Sequence, residues 1–171
     1  DKIEDRAKFY ALCKIAQESI IRLIAETSPK YYGVIRLGTV LGEAMPRQTA
    51  ASIFIDNALS GRPITPYKHT QHRPMLYVDI QDVCRAIESF SKIILNRKNH
   101  ESRPKVVNLV SPFPMTILEL ARIIRSKVIR LTRGKRRPRI EIVGKVVKPV
   151  YAVRDKKLFR VDISRARELL G

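Results

Sequence analysis

Tryptophan is absent from this 171-residue chain, and Phe and Tyr together supply only 6% of it. So few aromatics leave little material for the stacking platforms on which single-stranded nucleic acids are held. The only cysteines, Cys13 and Cys84, are too few for the disulfide framework of a small secreted scaffold. Both fall inside helical patterns, so they are expected to be buried free thiols in a reducing, cytoplasmic compartment. No apolar run approaches the roughly 20 residues of a bilayer-spanning helix. One of the longest, Val34 to Leu41, is broken by Arg36, so no membrane span is expected. The opening Asp1-Lys2-Ile3-Glu4-Asp5 has neither the basic start nor the apolar core of a signal peptide, and it reads as the interior of a longer chain.

Acidic residues are also scarce, 16 against 34 Lys and Arg, for a net charge of +18. The imbalance is local. Between Arg122 and Arg160 there are fifteen basic residues against Glu141 and Asp155, which is +13 of the total. A stretch of this kind can attract polyanions by releasing their counterions. It has no Cys/His finger spacing and no aromatic from Arg122 to Val150, so it reads first as a solvated basic face around a turn at Arg133-Gly134-Lys135. A non-catalytic basic module that binds nucleic acid is the alternative.

What is abundant is apolar material, 44% of the chain, enough to offset the entropy of ordering and therefore to fold. Phe9, Leu12, Cys13, Ala16, Ile20, Leu23 and Ile24 recur at three and four residues, one face of a helix from Asp5 to about Ala25 that Ser28-Pro29 ends. Tyr32 to Leu37 reads as a buried strand entering a loop at Gly38 and Gly42. A helix follows over Gln48–Leu59, with Gly61 as its stop, and then a strand over Met75–Val78. Asp79 can cap a helix reaching Leu95, with Asp82 as its capping partner; Arg97–Pro104 is a charged connection, and Val106–Val110 is the next strand. Thr116 and Glu119 form a capping box, Ile140–Val143 alternates like a half-exposed strand, and Asp162 caps a last short helix stopped at Gly171. Helices alternating with buried strands indicate an α/β protein with a largely parallel sheet.

One local pattern carries chemistry. Tyr10 and Lys14, four apart on the first helix, lie on the same face about 6 Å apart along the axis. An ammonium at that range favours the phenolate and suits a tyrosine to general acid–base work. His69-x-x-His72 has the look of a metal pair but no third ligand at suitable spacing, so no metal is expected.

The pattern Tyr10-x-x-x-Lys14-x-x-x-Glu18 is followed by Arg36-Leu37-Gly38-Thr39-Val40-Leu41-Gly42, then by Arg73 ahead of Tyr77-Val78-Asp79, then by Val107-Asn108-Leu109-Val110-Ser111. Next come Thr116-Ile117-Leu118-Glu119-Leu120, Arg154-Asp155, and Asp162-Ile163-Ser164-Arg165-Ala166. Motifs of these kinds in this order resemble the second half of an extended short-chain dehydrogenase/reductase, in the NAD-dependent epimerase/dehydratase family that acts on nucleotide sugars. The resemblance covers nearly the whole chain. It implies the C-terminal part of a Rossmann-like fold with a small α/β substrate-binding lobe: residues 1–45 from the NAD-binding domain, 46–171 the lobe, with about 75–110 returning to the Rossmann sheet.

By the same resemblance Tyr10 exchanges a proton with a sugar hydroxyl while hydride passes to or from NAD, and Lys14 holds the nicotinamide ribose. Arg73 and Arg154 grip the substrate diphosphate, a task suited to the planar guanidinium fork. Thr39 stands where many members carry asparagine, leaving one hydroxyl near the substrate phosphates. C4 epimerisation is the implied reaction, with a dehydratase or reductase of the same family as the alternative. The implied partners are a second copy in a homodimer, or an N-terminal Rossmann half. The departure from the family is a lack: none of the seven glycines forms the glycine-rich turn that receives a dinucleotide pyrophosphate. The chain by itself is therefore expected to be inactive.

Overall fold

A computed structural model describes residues 2–96, 105–144 and 150–171. The expected connection at 97–104 lies outside the described residues. Helix α1 (Lys2–Thr27) leads to β1 (Gly33–Leu37) and β2 (Thr39–Leu41), then α2 (Ala50–Leu59). β3 (Pro74–Met75) and β4 (Tyr77–Asp79) precede α3 (Ile80–Leu95), and β5 (Lys105–Leu109) and β6 (Met115–Thr116) precede α4 (Ile117–Leu131). Two short helices, α5 (Asp155–Leu158) and α6 (Ser164–Leu170), follow.

The strands pair in twos. β1 lies parallel to β5, with Gly33 opposite Lys105 and Leu37 opposite Leu109. β2 lies parallel to β4, and β3 runs antiparallel to β6. The mixed α/β architecture with parallel pairing agrees with the sequence reading, but two details differ. The expected strand over Met75–Val78 is interrupted at Leu76, whose carbonyl turns to accept from the Thr39 N–H at 2.7 Å. The expected strand over Ile140–Val143 makes only isolated bridges, Ile64 to Ile140 and Tyr67 to Val143, because its neighbour is an irregular proline-containing segment.

The main core forms where α2 crosses α4. Ala51, Phe54 and Ala58 meet Leu120, Ala121, Ile124 and Val128, with Ile64 and Tyr77 closing the layer. Ala58 and Ala121 are fully buried, and their small side chains let the two helices approach closely. A second cluster joins Phe90 of α3, Val107 of β5 and Ala166 of α6. The caps follow their residues: Asp79 accepts from the Gln81 N–H, and Thr116 and Glu119 bond reciprocally at the start of α4. At α6 the N-cap position falls to Ile163 and not to the expected Asp162, whose carboxylate accepts from the Ser164 N–H from one residue further out.

Burial departs from expectation along α1 and β1. Phe9, Leu12, Ile20 and Leu23 are each more than half exposed, and Ala25 is the one buried side chain of α1 among its described residues. A helix of 26 residues is about 39 Å long, whereas the β1–β5 pair is two strands of five residues, roughly 17 Å by 10 Å, and cannot cover it. For the same reason β1 is only partly covered. The thiols are free as expected, but Cys13 is half-buried and Cys84 exposed. Among the described residues no helix is long and apolar enough to cross a membrane.

Two side chains on β1 and α1 hold the long helix in place. Arg36 donates from Nε and Nη2 to the two oxygens of Glu18, at 2.8 and 2.6 Å, and Arg22 adds a third bond at 2.6 Å. These hydrogen bonds hold the Glu18 carboxyl below its ordinary value. A carboxylate whose acidity is raised by folding contributes stability that is present above its unfolded pKa and is lost as pH falls through the folded one. Thermal unfolding of the unaltered chain and of Glu18→Gln should therefore differ most near neutral pH and converge on acidification below about pH 4. Separately, Thr116→Ala removes the α4 cap and should lower stability to urea by about 1 kcal/mol, with Ser126→Ala on the exposed side of the same helix as the near-neutral reference.

Candidate active site

The extended run 33–41 changes partner at Gly38. The Gly38 N–H still donates to the Leu109 carbonyl of β5 at 3.2 Å, while the next N–H, of Thr39, donates to Leu76 beside β4. Diverging neighbours of this kind open a crevice at a strand end, the usual place for a ligand in a parallel sheet. Glycine is required there by packing: a Cβ on residue 38 would stand 2.6 Å from the Leu76 carbonyl oxygen.

A cleft of about 730 Å³ opens at this point. Its walls include Tyr10 from α1, Thr39 from β2, Arg73 and Met75 at β3, and Tyr151, Asp155 and Phe159 from the segment around α5. Three of the five residues singled out in the sequence thus reach one cleft, although 63 residues separate the outermost two. Lys14 is outside the lining. Its Nζ stands 5.6 Å from the Tyr10 ring centroid and donates to the Gln17 side chain at 3.2 Å, so the pair is adjacent but the ammonium points along the helix surface. Arg154 is exposed at the N-terminus of α5, next to the lining residue Asp155.

Charge is distributed so that cations remain available. Arg73 and Arg154 have no carboxylate partner among the described residues, whereas Asp155 accepts from the Ala152 N–H at 2.8 Å. Burial pushes the Tyr77 phenol above its ordinary pKa, and the nearby Arg73 charge works against that. Lys156 donates to both oxygens of Glu119, at 2.7 and 2.8 Å, which ties α5 to the start of α4 and holds the cleft wall. Partial burial opposes ionisation of Glu119, but Lys156 and the Thr116 groups outweigh it and keep the carboxyl below its ordinary value.

Tyr151 and Phe159 escaped the sequence reading. The available signal was weak: between Phe113 and Tyr151 no aromatic occurs, and both rings appear where the chain returns to the cleft. Among the described residues no group of three His, Cys, Asp or Glu could hold a metal. For a dinucleotide the fit is one-sided. Tyr10 and Lys14 offer a phenol and an ammonium suited to a ribose. The glycines closest to a phosphate-binding spacing are filled by the chain itself, since a Cβ on Gly33 or Gly42 would strike Phe90 or Ile80.

Solved structures with the same fold are known. Among solved structures, MoeE5 in complex with UDP-glucuronic acid and NAD matches 95% of this chain at 20% identity and a TM-score of 0.65. UDP-glucose 4-epimerase from Thermotoga maritima, solved with UDP-glucose, matches 95% at 22% identity and a TM-score of 0.62. UDP-glucuronic acid 4-epimerase from Bacillus cereus, with UDP-glucuronic acid and NAD, matches 81% at 21% identity and a TM-score of 0.54. The chain spans 48%, 47% and 38% of these proteins, about half their length or less, and at such identities the likeness is one of fold. No curated protein matches. The sequence pattern of the NAD dependent epimerase/dehydratase family, however, matches residues 3–109, more than half of the chain, and so the chain belongs to that family.

Proposed function

We propose that the chain is the C-terminal portion of an NAD-dependent nucleotide-sugar epimerase that inverts C4 of the sugar through a transient keto sugar. The observation that carries this reading is the meeting of Tyr10, Thr39 and Arg73 in the cleft at the Gly38 switch. The Tyr10 phenolate takes the proton from the C4 hydroxyl as the sugar is oxidised, and the phenol returns it when the sugar is reduced from the opposite face. Lys14, whose Nζ stands 5.6 Å from the Tyr10 ring centroid, holds the nicotinamide ribose together with Tyr10. NAD, when bound, supplies the hydride acceptor and donor. Arg73 and Arg154, free of carboxylate partners among the described residues, hold the two phosphates. The Thr39 hydroxyl adds one hydrogen bond beside them.

The ligands of MoeE5 and of the two epimerases support a UDP-sugar as the substrate class. The uncovered apolar residues of α1, with exposed Leu37 and Leu158 at the cleft, support a missing neighbour that supplies the pyrophosphate turn. The chain alone accordingly binds nucleotide diphosphate but does not turn it over. Two free thiols suit a cytoplasmic site of action.

Thermal unfolding of the purified chain in the presence of UDP or UDP-glucose tests the reading. At a ligand concentration a hundred times Kd, a stabilisation of about 2.7 kcal/mol is expected. Arg73→Gln and Arg154→Gln should each reduce it, and Tyr10→Phe should retain it. Absence of protection, or protection untouched by both arginine variants, would overturn the proposed site. Complete sugar epimerisation by the purified chain would overturn the claim that it is inactive alone.

A further inference from the structure

The nine cations between Arg122 and Arg139 are left over from the proposed chemistry. No acidic residue interrupts them, and every one is exposed. None makes an ion pair with a described residue, whereas Glu18, Asp82, Glu88 and Glu119 are all paired elsewhere. The nearest acid on α4, Glu119, is held by Lys156.

The fold presents these charges on the exposed side of α4 and on the turn that follows it. On α4, Arg122, Arg125, Lys127 and Arg130 wrap the side away from Leu120, Ile124 and Val128, which are buried against α2. Past the helix, Arg133 and Gly134 adopt positive φ and turn the chain back. Arg125 pins the return by donating from Nε to the Pro138 carbonyl at 3.0 Å. The Arg136 guanidinium lies over the end of α2, 2.9 Å from where a Cβ on Gly61 would stand. Arg130 is eleven residues past Glu119, about 16 Å along the helix from the end of α4 that is tied to the cleft wall. None of the nine cations lines the cleft.

We propose that this face docks on the phosphate backbone of a B-form DNA duplex without reading its sequence. Seven of the nine cations are arginines, whose planar fork suits phosphate oxygens. The stretch lacks Asn, Gln and aromatic side chains, so base-edge amide contacts and stacking platforms are both missing, which disfavours sequence readout and single strands. The apolar stripe of α4 is spent against α2, leaving only Ile123 and Leu131 exposed, too little to embed in a bilayer. The wide major groove of B-DNA admits an α-helix between its phosphate rows, whereas the deep, narrow one of A-form RNA does not.

Fluorescence anisotropy of a labelled mixed-sequence DNA duplex about two helical turns long, titrated with the full 171-residue chain across salt concentrations, tests this. The logarithm of the binding constant should fall against the logarithm of salt with a slope of about −5, corresponding to roughly six neutralised phosphates. The combined variant Arg130→Gln, Arg133→Gln, Arg137→Gln should flatten the slope by about 2 to 3 and weaken binding more than about tenfold at low salt. A charge-matched triple, Arg47→Gln, Arg160→Gln, Arg165→Gln, should stay within about twofold of the unaltered chain, with thermal midpoints confirming that both variants fold. Equal weakening by the two triples would reduce the effect to net charge and overturn the localised face. No binding at low salt, or stronger binding to single strands, duplex RNA or phosphatidylserine vesicles, would overturn the duplex assignment.

Discussion

Glu18 stands where α1, one β-strand and the candidate catalytic tyrosine are coupled mechanically. Its carboxylate receives both donors of the Arg36 fork and one from Arg22, and so fixes the rotation of α1 about its own axis relative to β1. Eight residues earlier on the same helix, about 12 Å along the axis, Tyr10 reaches the cleft beside Thr39. Since α1 buries only Ala25 fully among its described residues, this ion pair performs an orienting task that apolar packing performs for α2 and α4.

The cleft itself follows from a change of partner in one extended segment. Residues 33–37 follow β5 and residues 39–41 follow β4, and the divergence leaves room above Gly38. Tight contacts at Gly33, Gly38 and Gly42 explain why side chains are excluded there, and the same contacts leave no backbone cradle for a pyrophosphate. The chain belongs to the epimerase/dehydratase family and matches half or less of the length of these structural neighbours.

Electrostatics divides the molecule into two cationic territories. At and beside the cleft, Arg73 and Arg154 have no carboxylate partner among the described residues, while Asp155 accepts from a backbone N–H. Along α4 and its return turn the cations are more numerous and exposed.

Much of the local structure is set by residue order. The caps at Asp79 and Thr116, the stop at Gly61 and the helix through Tyr10 and Lys14 depend on neighbours within four residues, so periodicity and side-chain chemistry suffice to place them. Family membership was also readable, because it rests on the order of short motifs. Burial was not: the same apolar spacing that is buried in α4 is exposed in α1, since burial depends on what the rest of the chain supplies as a partner. Nor could spacing reveal that Tyr151 and Phe159 share a cleft with Tyr10, or that all nine cations from Arg122 to Arg139 stay exposed. Such convergence is created by the partner switch at Gly38 and the turn after α4, and only the tertiary structure decides where those two features point the chain.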